Sequence, residues 1–455
     1  MQSMECAQGL KMINRENDVG FVVNCIAEGA CCALLGMSNI GKSTLLRSLA
    51  EQHAGDPGVR AKNDAFVYID FNLISQCSEQ GFYEAVLRNV LAAFSTGEAD
   101  VELRSAIQRA YETVIAPNSP FLVPLAFEDS LQAITTRRPG TLVLLFDEFD
   151  EVFAELEPRV FVRLRALKDR YAPRLCYVTA TGNPLPEIRR ERQVGEFCEL
   201  FAAHTRYLLP LAEEDARVLV EQWAAQAAGD LTPEDLDFVV ENAGGHPALL
   251  QTTCAILLKS KEETLWRPAP AGYDRIRQRI DSDANIRLEC AKLWADVSPP
   301  EQETLIAVLS GHSASTAVDQ LAEKGLVRIT PTGVQVFASL FGSFVQRQQM
   351  VRRRGPAGVR VDVEAGDVWV DGRLAATLTD LEYKLLLLLY GNLDKIIDKY
   401  KMVDTVWGEN YIDQVDDARI EKLVSRLREK IEPKPEEPLY LITVRGRGYK
   451  LVGPQ

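Results

Sequence analysis

Along residues 1–210, short apolar runs alternate with longer stretches of helical spacing. Cys31 to Leu35 is one such run, and Thr44-Leu45-Leu46-Arg47-Ser48-Leu49 beyond it reads as the start of a helix. Ala65 to Asp70, Leu142 to Phe146, Leu175 to Thr181 and Tyr207 to Leu209 continue the series as predicted strands. An unbroken apolar run such as Leu142 to Phe146 suits a strand covered on both faces, as in a parallel sheet. Strands alternating with helices predict an α/β fold built on a doubly wound parallel sheet.

The pattern then becomes helical over 211–285. Thr232-Pro233-Glu234-Asp235 has the composition of a helix start, with proline at the first helical position. Gly244-Gly245 ends that helix and His246-Pro247 opens the next. Over 286–350, Ser298-Pro299-Pro300-Glu301 has capping-box spacing, with Leu305, Val308 and Leu309 following at helical intervals. A further helical segment from Val318 and a return near Val334 to Phe337 predict helices followed by a hairpin, a winged helix. Residues 351–358 break regular structure with Gly355-Pro356 and carry Arg352, Arg353 and Arg354, either as a solvated hinge or as a phosphate-contacting arm.

Residues 359–455 read as a second winged helix. Val359 to Val363 and Val368 to Val370 alternate as short strands, and a capping box from Thr379 to Glu382 opens a helix. In the segment Arg419 to Ile431, Ile420, Leu423, Val424, Leu427 and Ile431 fall on one stripe. Arg419, Lys422 and Arg426 fall on the opposite one. Such a helix suits a major groove, or is an amphipathic surface helix with solvated charges. A final hairpin, Leu441 to Val444 and Tyr449 to Leu451, turns through Arg445-Gly446-Arg447-Gly448 and presents Arg445 and Arg447 at its tip.

Candidate chemistry sits at two of the predicted strand ends. Gly36-Met37-Ser38-Asn39-Ile40-Gly41-Lys42-Ser43 is a complete G-x-x-x-x-G-K-S phosphate loop between strand and helix. That is the context in which backbone N–H groups and a helix N-terminus cradle a polyphosphate. Lys42 would reach the outer phosphates, and Ser43 would sit on Mg²⁺. Asp147-Glu148 ends the run from Leu142. Asp147 would hold the Mg²⁺ shell, and Glu148 would orient a water. Asp150 and Glu151 read as the surface start of the following helix.

Composition narrows this reading only slightly. The chain has 455 residues, 46% hydrophobic and 25% charged, which suits several domains with large cores. A net charge of −14 argues against a surface coated in nucleic acid but leaves room for a local basic face. No apolar run approaches a membrane span and no signal-peptide core is visible, so a cytoplasmic location is expected. The nine cysteines lie mostly in apolar segments without a C-x-x-C pair, as buried reduced thiols would.

The runs LTDLEYKLL, VWG, VSRLREKI and TVRGRGYKL closely resemble the OmpR/PhoB-type winged-helix DNA-binding domain of response regulators. The resemblance implies that Arg419 to Lys430 is the recognition helix and Arg445 to Tyr449 the wing. Leu423 stands where that family often has a basic residue or histidine.

The remainder resembles the STAND class of signalling ATPases within the AAA+-like P-loop NTPases. The matching residues are Asn14-Arg15-Glu16, the phosphate loop, Asp147-Glu148, Leu209-Pro210-Leu211 and Gly244-Gly245-His246-Pro247. It implies a parallel sheet with a helical lid over bound ATP or ADP, and Arg15 and Pro247 on the adenine side. Gly36, Asn39, Gly41, Lys42, Ser43 and Thr44 would hold the phosphates. Asn183 or Thr181 would be the polar γ-phosphate sensor. Arg189, Arg190 and Arg192 would supply a finger across a subunit interface, or form a solvated helix.

The expected organisation is therefore an ATPase core over 1–210, a lid over 211–285, a winged helix over 286–350, a linker over 351–358 and a DNA-binding winged helix over 359–455. The expected function is a nucleotide-controlled transcription regulator that binds double-stranded DNA. It would hydrolyse ATP slowly with Lys42, Asp147, Glu148 and Asn183, and assemble as a homo-oligomer when ATP-bound. An unknown sensor or effector protein would complete it. The rival readings are an ATP-driven DNA-handling, defence or transposition accessory ATPase, and a scaffold whose terminal winged helix binds protein only.

Overall fold

The computed structural model describes residues 15–51, 63–95, 101–227, 229–262, 271–311, 317–331, 333–353, 358–362, 367–375, 378–407, 417–444 and 446–453. The chain divides into two compact units, Met1 to Phe344 and Val345 to Gln455. Asn14, Arg354, Gly355-Pro356, Val363, Gly408 and Arg445, all used in the sequence reading, lie outside the described residues.

The first unit opens with helix α1 (Glu16–Ala27). Strand β1 (Cys32–Leu35) leads through the phosphate loop into α2 (Lys42–Glu51). Strand β2 (Ala65–Asp70) is followed by α3 (Glu79–Ala93), α4 (Val101–Ile115) and α5 (Leu122–Arg137). Strand β3 (Leu142–Asp147), α6 (Phe149–Glu155), α7 (Pro158–Tyr171) and β4 (Leu175–Thr181) come next. Helices α8 (Leu185–Ile188) and α9 (Gly195–Ala202) precede β5 (Thr205–Tyr207).

The five strands form one sheet in the order β2-β3-β4-β1-β5, with every neighbouring pair parallel. Their carboxyl ends therefore share one edge, where open α/β sheets bind ligands. All residues of β1, β3 and β4 are buried, which is why these strands read as continuous apolar runs. Strand β5 starts two residues earlier than its apolar content suggested. It is an edge strand paired only with β1, so polar Thr205 and Arg206 are tolerated. Leu208 follows the strand and donates its N–H to Leu35 O at 2.7 Å. On one face of the sheet, Phe71, Phe82, Phe146, Phe149, Phe153, Phe161 and Phe197 pack with Tyr83, Phe127 and Tyr177. That aromatic mass holds the ends of β2 and β3 rigid beneath the site.

Helices α10 (Glu213–Gln226), α11 (Pro233–Ala243) and α12 (Pro247–Lys261) follow the sheet. Thr232 caps α11 in a reciprocal capping box with Asp235. Gly244 and Gly245 both have positive φ, 64° and 86°. A Cβ on Gly244 would stand 2.0 Å from Phe337 O, and one on Gly245 2.2 Å from Leu211 O. The turn thus packs too tightly for any side chain and fixes the start of α12. Helices α13 (Ala271–Ser282), α14 (Ala284–Ala295), α15 (Pro299–Leu309) and α16 (Val318–Glu323) lead to the antiparallel pair β6 (Val327–Thr330) and β7 (Gly333–Val336). Helix α17 (Ser339–Arg353) then carries the chain onward.

In the second unit, β8 (Val359–Val361), β9 (Val368–Val370) and β10 (Arg373–Leu374) form an antiparallel sheet. Helices α18 (Asp380–Tyr390), α19 (Lys399–Trp407) and α20 (Asp417–Ile431) come next. The hairpin of β11 (Leu441–Val444) and β12 (Gly448–Leu451) closes the unit. Its core joins Leu385, Leu389, Met402, Val424, Leu427 and Leu441. The Thr379 capping box is formed, and its Glu382 also accepts from Lys430 Nζ at 2.6 Å, tying α18 to α20.

Candidate functional site

The loop between β1 and α2 folds round the side chain of Lys42. Lys42 Nζ donates to Gly36 O at 2.7 Å and Met37 O at 3.1 Å. The first bond of α2 runs from Leu45 N–H to Gly41 O, so the N–H groups of Lys42, Ser43 and Thr44 belong to the helix end that has no intrahelical acceptors. Asn39 and Gly41 hold positive φ, 56° and 107°, and no atom lies within 4 Å of a Cβ built on Gly41. The result is a concave run of backbone donors at a helix N-terminus, the geometry that receives a phosphate.

Asp147 ends β3 and is 1% exposed. Its Oδ2 accepts from the Tyr68 hydroxyl at 2.6 Å, while its Oδ1 is buried without a hydrogen-bond partner among the described residues. Arg47 Nε donates to the same Tyr68 oxygen at 3.0 Å. Desolvation and the Asp147 carboxylate together raise the Tyr68 phenol well above its ordinary range, so it stays a donor. An orphaned carboxylate oxygen next to a phosphate cradle fits a hydrated divalent cation. Among the described residues no group of three or more His, Cys, Asp or Glu side chains is arranged to hold a metal alone. Phosphate oxygens and waters would have to complete the shell, as is usual for Mg²⁺.

Glu148 follows in a left-handed conformation, φ 52°, with an exposed side chain. Partial desolvation nonetheless raises its pKa, and the adjoining Asp147 charge adds to this. Asp150 lies in the first turn of α6 as expected, but it is not a surface residue. It is half-buried and its Oδ1 accepts from Gly182 N–H at 2.9 Å, which pins the end of β4. Desolvation raises its pKa while Lys42 opposes the shift. Glu151 does face solvent. Lys42 itself is lowered by burial, against the fields of Asp150, Glu148, Asp296 and Asp147.

Thr181 is fully buried and its Oγ1 donates to Asn183 O at 2.8 Å; Asn183 is half-buried beside it. Arg189 is spent on the chain's own backbone, donating to Phe153 O at 3.2 Å and to Leu156 O, and pairs with Glu191. Arg190 and Arg192 are exposed.

Arg15 stands at the other side of the loop. Its guanidinium donates to Ile40 O at 3.0 Å, Leu209 O at 2.9 Å and Asp18 Oδ2 at 3.2 Å. His246, fully buried, reaches the loop from the start of α12: its Nε2–H donates to Ser38 O at 2.9 Å. Burial lowers its pKa to about 4, outweighing that hydrogen bond, and the charges of Lys42 and Arg15 add to the lowering. Pro247 is half-buried at the first position of α12. Two further side chains reach the loop from far along the chain. Asp296 Oδ2 accepts from Ser38 N–H at 3.1 Å and Ser38 Oγ at 2.7 Å. Both oxygens of Glu289 lie 2.9 Å from Asn39 Nδ2. Tyr68, Glu289 and Asp296 were invisible to motif reasoning, because each belongs to a segment with no phosphate-loop signature; His246 was legible only as part of Gly244-Gly245-His246-Pro247, without its contact to the loop.

In the second unit the predicted stripe of α20 is buried as a set: Ile420, Leu423, Val424, Leu427 and Ile431. Burial of Leu423 explains an apolar residue at that position. Arg419, Lys422 and Arg426 are exposed. Arg428 is a structural residue, donating to Leu441 O at 2.6 Å and Thr443 Oγ1 at 2.8 Å. Arg447 is exposed in the turn of the β11–β12 hairpin. A helix buried on one side and basic on the other, followed by a hairpin with an exposed arginine, has the architecture of a winged-helix DNA reader.

The chain thus joins an α/β domain with a phosphate loop to a winged-helix domain. Residues 373–451 match the family described as transcriptional regulatory protein, C terminal, and residues 23–115 match bacterial TniB protein. The chain is 42% identical over 103 residues to the sensory transduction protein RegX3 of Mycolicibacterium smegmatis, covering 23% of this chain and 43% of that protein. It is 41% identical over 75 residues to the response regulator GtcR of Aneurinibacillus migulanus, covering 16% and 30%. The chain therefore spans less than half the length of these curated relatives. Among solved structures, the Walker-type ATPase PABY2304 of Pyrococcus abyssi aligns at 11% identity and TM-score 0.47, over 74% of this chain and 96% of that one. The RstA DNA-binding domain of Klebsiella pneumoniae, solved with the RstA box, aligns at 26% identity and TM-score 0.19, over 21% and 91%. Among the described residues no helix is long and apolar enough to cross a membrane.

Proposed function

We propose that this protein is a nucleotide-controlled transcription regulator: ATP or ADP in the first unit sets how the second grips double-stranded DNA. The observation that carries the reading is the union in one chain of two sites. One is a phosphate cradle facing an orphaned Asp147 oxygen. The other is a winged helix whose α20 is buried on one face and basic on the other.

In this reading Gly36, Asn39, Gly41, Lys42, Ser43 and Thr44 hold the phosphates, and Arg15 and Pro247 lie on the base side. Ser43 and Asp147 hold Mg²⁺, and Tyr68 keeps Asp147 oriented. A bound triphosphate with Mg²⁺ supplies the charge that separates the two states. Glu148 positions a water and Asn183 senses the outer phosphate, so that ATP is hydrolysed slowly to ADP. The STAND-like assignment rests on Gly244-Gly245-His246-Pro247, which sets a buried histidine against the loop. Residues 211–285 and 286–350 are the lid and winged helix that respond to the nucleotide. Residues 351–358 are the linker to the reader at 359–455. Arg419, Lys422, Arg426, Arg445 and Arg447 contact DNA. Exposed Arg190 and Arg192 suit a contact between copies in an ATP-bound homo-oligomer. The setting is cytoplasmic, with a separate sensor or effector protein upstream.

The test is selection of duplex sequences by the full chain with ATP, with ADP and without nucleotide. The expected result is a defined sequence preference whose affinity differs between ATP and ADP by about fivefold or more. Equal affinity in all three conditions overturns the switch. The match of residues 23–115 to a second family, bacterial TniB protein, keeps a second reading, an ATP-driven machine acting on DNA. Rapid turnover stimulated by any duplex, without sequence preference, favours that one.

A further inference from the structure

The contact of α14 and its C-cap with the phosphate loop joins residues 250 and 258 positions apart, and it places two carboxylates where a polyphosphate needs donors. Asp296 takes the Ser38 N–H and hydroxyl, and Glu289 grips Asn39 Nδ2 with both oxygens. Glu289 is 8% exposed, so this is a packed contact. Its side of the loop can be assigned. Lys42, the group that reaches the outer phosphates in a loop of this type, has its Nζ on the carbonyls of Gly36 and Met37, immediately before Ser38. Asp296 also acts electrostatically on Lys42 and on Asp150, which is anchored to Gly182 beyond β4. The carboxylate therefore holds the loop residue next to the carbonyls that Lys42 bonds, and a carboxylate accepting from an N–H and a hydroxyl imitates a phosphate oxygen.

We propose that Asp296 and Glu289 are the specificity-determining residues by which this chain tells a nucleoside triphosphate from a diphosphate. The proposal rests on the nucleotide-switch reading and names its regulator. A diphosphate fills the inner part of the cradle and leaves both contacts in place. A triphosphate brings its terminal phosphate against Asp296, where like charges repel and both compete for the Ser38 donors. The carboxylates then leave the loop, and α14 leaves with them because Glu289 lies within it and Asp296 caps it. Displacement of α14 is transmitted to α15 through Gln302, whose Nε2 donates to Trp294 O at 3.1 Å and to Val297 O at 3.0 Å.

The test uses the full chain and titration calorimetry with a non-hydrolysable ATP analogue and with ADP. Asp296→Asn, and Glu289→Gln with Asp296→Asn, are expected to tighten triphosphate binding by about tenfold or more and to change ADP binding by less than about threefold, a coupling of ordinary size. A parallel change for both nucleotides, or none for either, overturns the proposal. Hydrogen exchange on the unmodified chain tests it without any variant. Peptides covering 284–296 should lose protection with the triphosphate analogue and keep it with ADP, and an identical response to both overturns it. If neither nucleotide binds any form of the chain, the nucleotide reading itself falls, a result distinct from equal discrimination.

Discussion

His246 offers a measurable consequence of burying a titratable group against the phosphate loop. Its ring is fully buried, its Nε2–H donates to Ser38 O, and its Nδ1 has no partner among the described residues. The neutral tautomer suits this site. The protonated ring would carry a desolvated charge facing Lys42 and Arg15, which is why the pKa falls from 6.5 to about 4. A base with a depressed pKa favours folding above its unfolded value and opposes it below. Above pH 6.5 neither state is protonated and stability is complete; as pH falls towards 4, only the unfolded chain gains the proton. At about 1.4 kcal/mol per pH unit, the whole window is worth about 3 kcal/mol, and the step from pH 7 to pH 5 about 2 kcal/mol.

Carboxylates titrate in the same range, so the comparison needs a partner variant. His246→Gln keeps an N–H donor for Ser38 O and removes the titration. Denaturant unfolding of both chains at pH 7 and pH 5 should show the wild type losing about 2 kcal/mol more than the variant. Exchange of the imidazole C2 proton, read by mass spectrometry on the His246 peptide, should give a pKa well under 6. Parallel losses in the two chains, or an ordinary His246 pKa, would refute the argument that burial dominates there.

Other consequences follow from single contacts. Lys42→Ala removes the ammonium from the cradle and should weaken nucleotide binding by at least about tenfold in calorimetry; wild-type affinity would remove the phosphate-loop assignment. Tyr68→Phe strips the buried Asp147 of the hydroxyl that donates to its Oδ2. It should cost about 1–3 kcal/mol of stability in denaturant unfolding, and an unchanged midpoint would show that the hydroxyl is dispensable. Replacing exposed Arg426 and Arg447 with alanine should flatten the log–log salt dependence of duplex binding by about 0.9 per lost phosphate contact, and an unchanged slope would reassign the DNA face. Gly448→Ala puts a Cβ 2.0 Å from Ile397 O at a residue with φ 129°. It should destabilise the second unit by roughly 2 kcal/mol or more in thermal unfolding.

What the chain reveals locally, and what it conceals, divides along a physical line. The buried strands Leu142–Asp147 and Leu175–Thr181 were legible because a strand covered on both faces must be apolar at every position. The capping boxes at Ser298 and Thr379, the phosphate loop and the stripe of α20 were legible because each depends on neighbours within a few residues. Edge strand β5 was placed late, since an edge needs no apolar run. Asp150 was read as a surface residue, because nothing in its own segment announces the Gly182 N–H across the site.

The sequence by itself determined the elements, the cradle and the basic helix, through hydrogen-bond periodicity and solvent exclusion acting over short stretches. Only the tertiary structure decided the strand order, the Tyr68 bond that leaves one Asp147 oxygen unpaired, and the convergence of His246, Glu289 and Asp296 on Ser38 and Asn39. The contacts of His246, Glu289 and Asp296 join groups more than 200 residues apart. Their energy depends on where the packed sheet and helices bring the charges, and that information has no local trace.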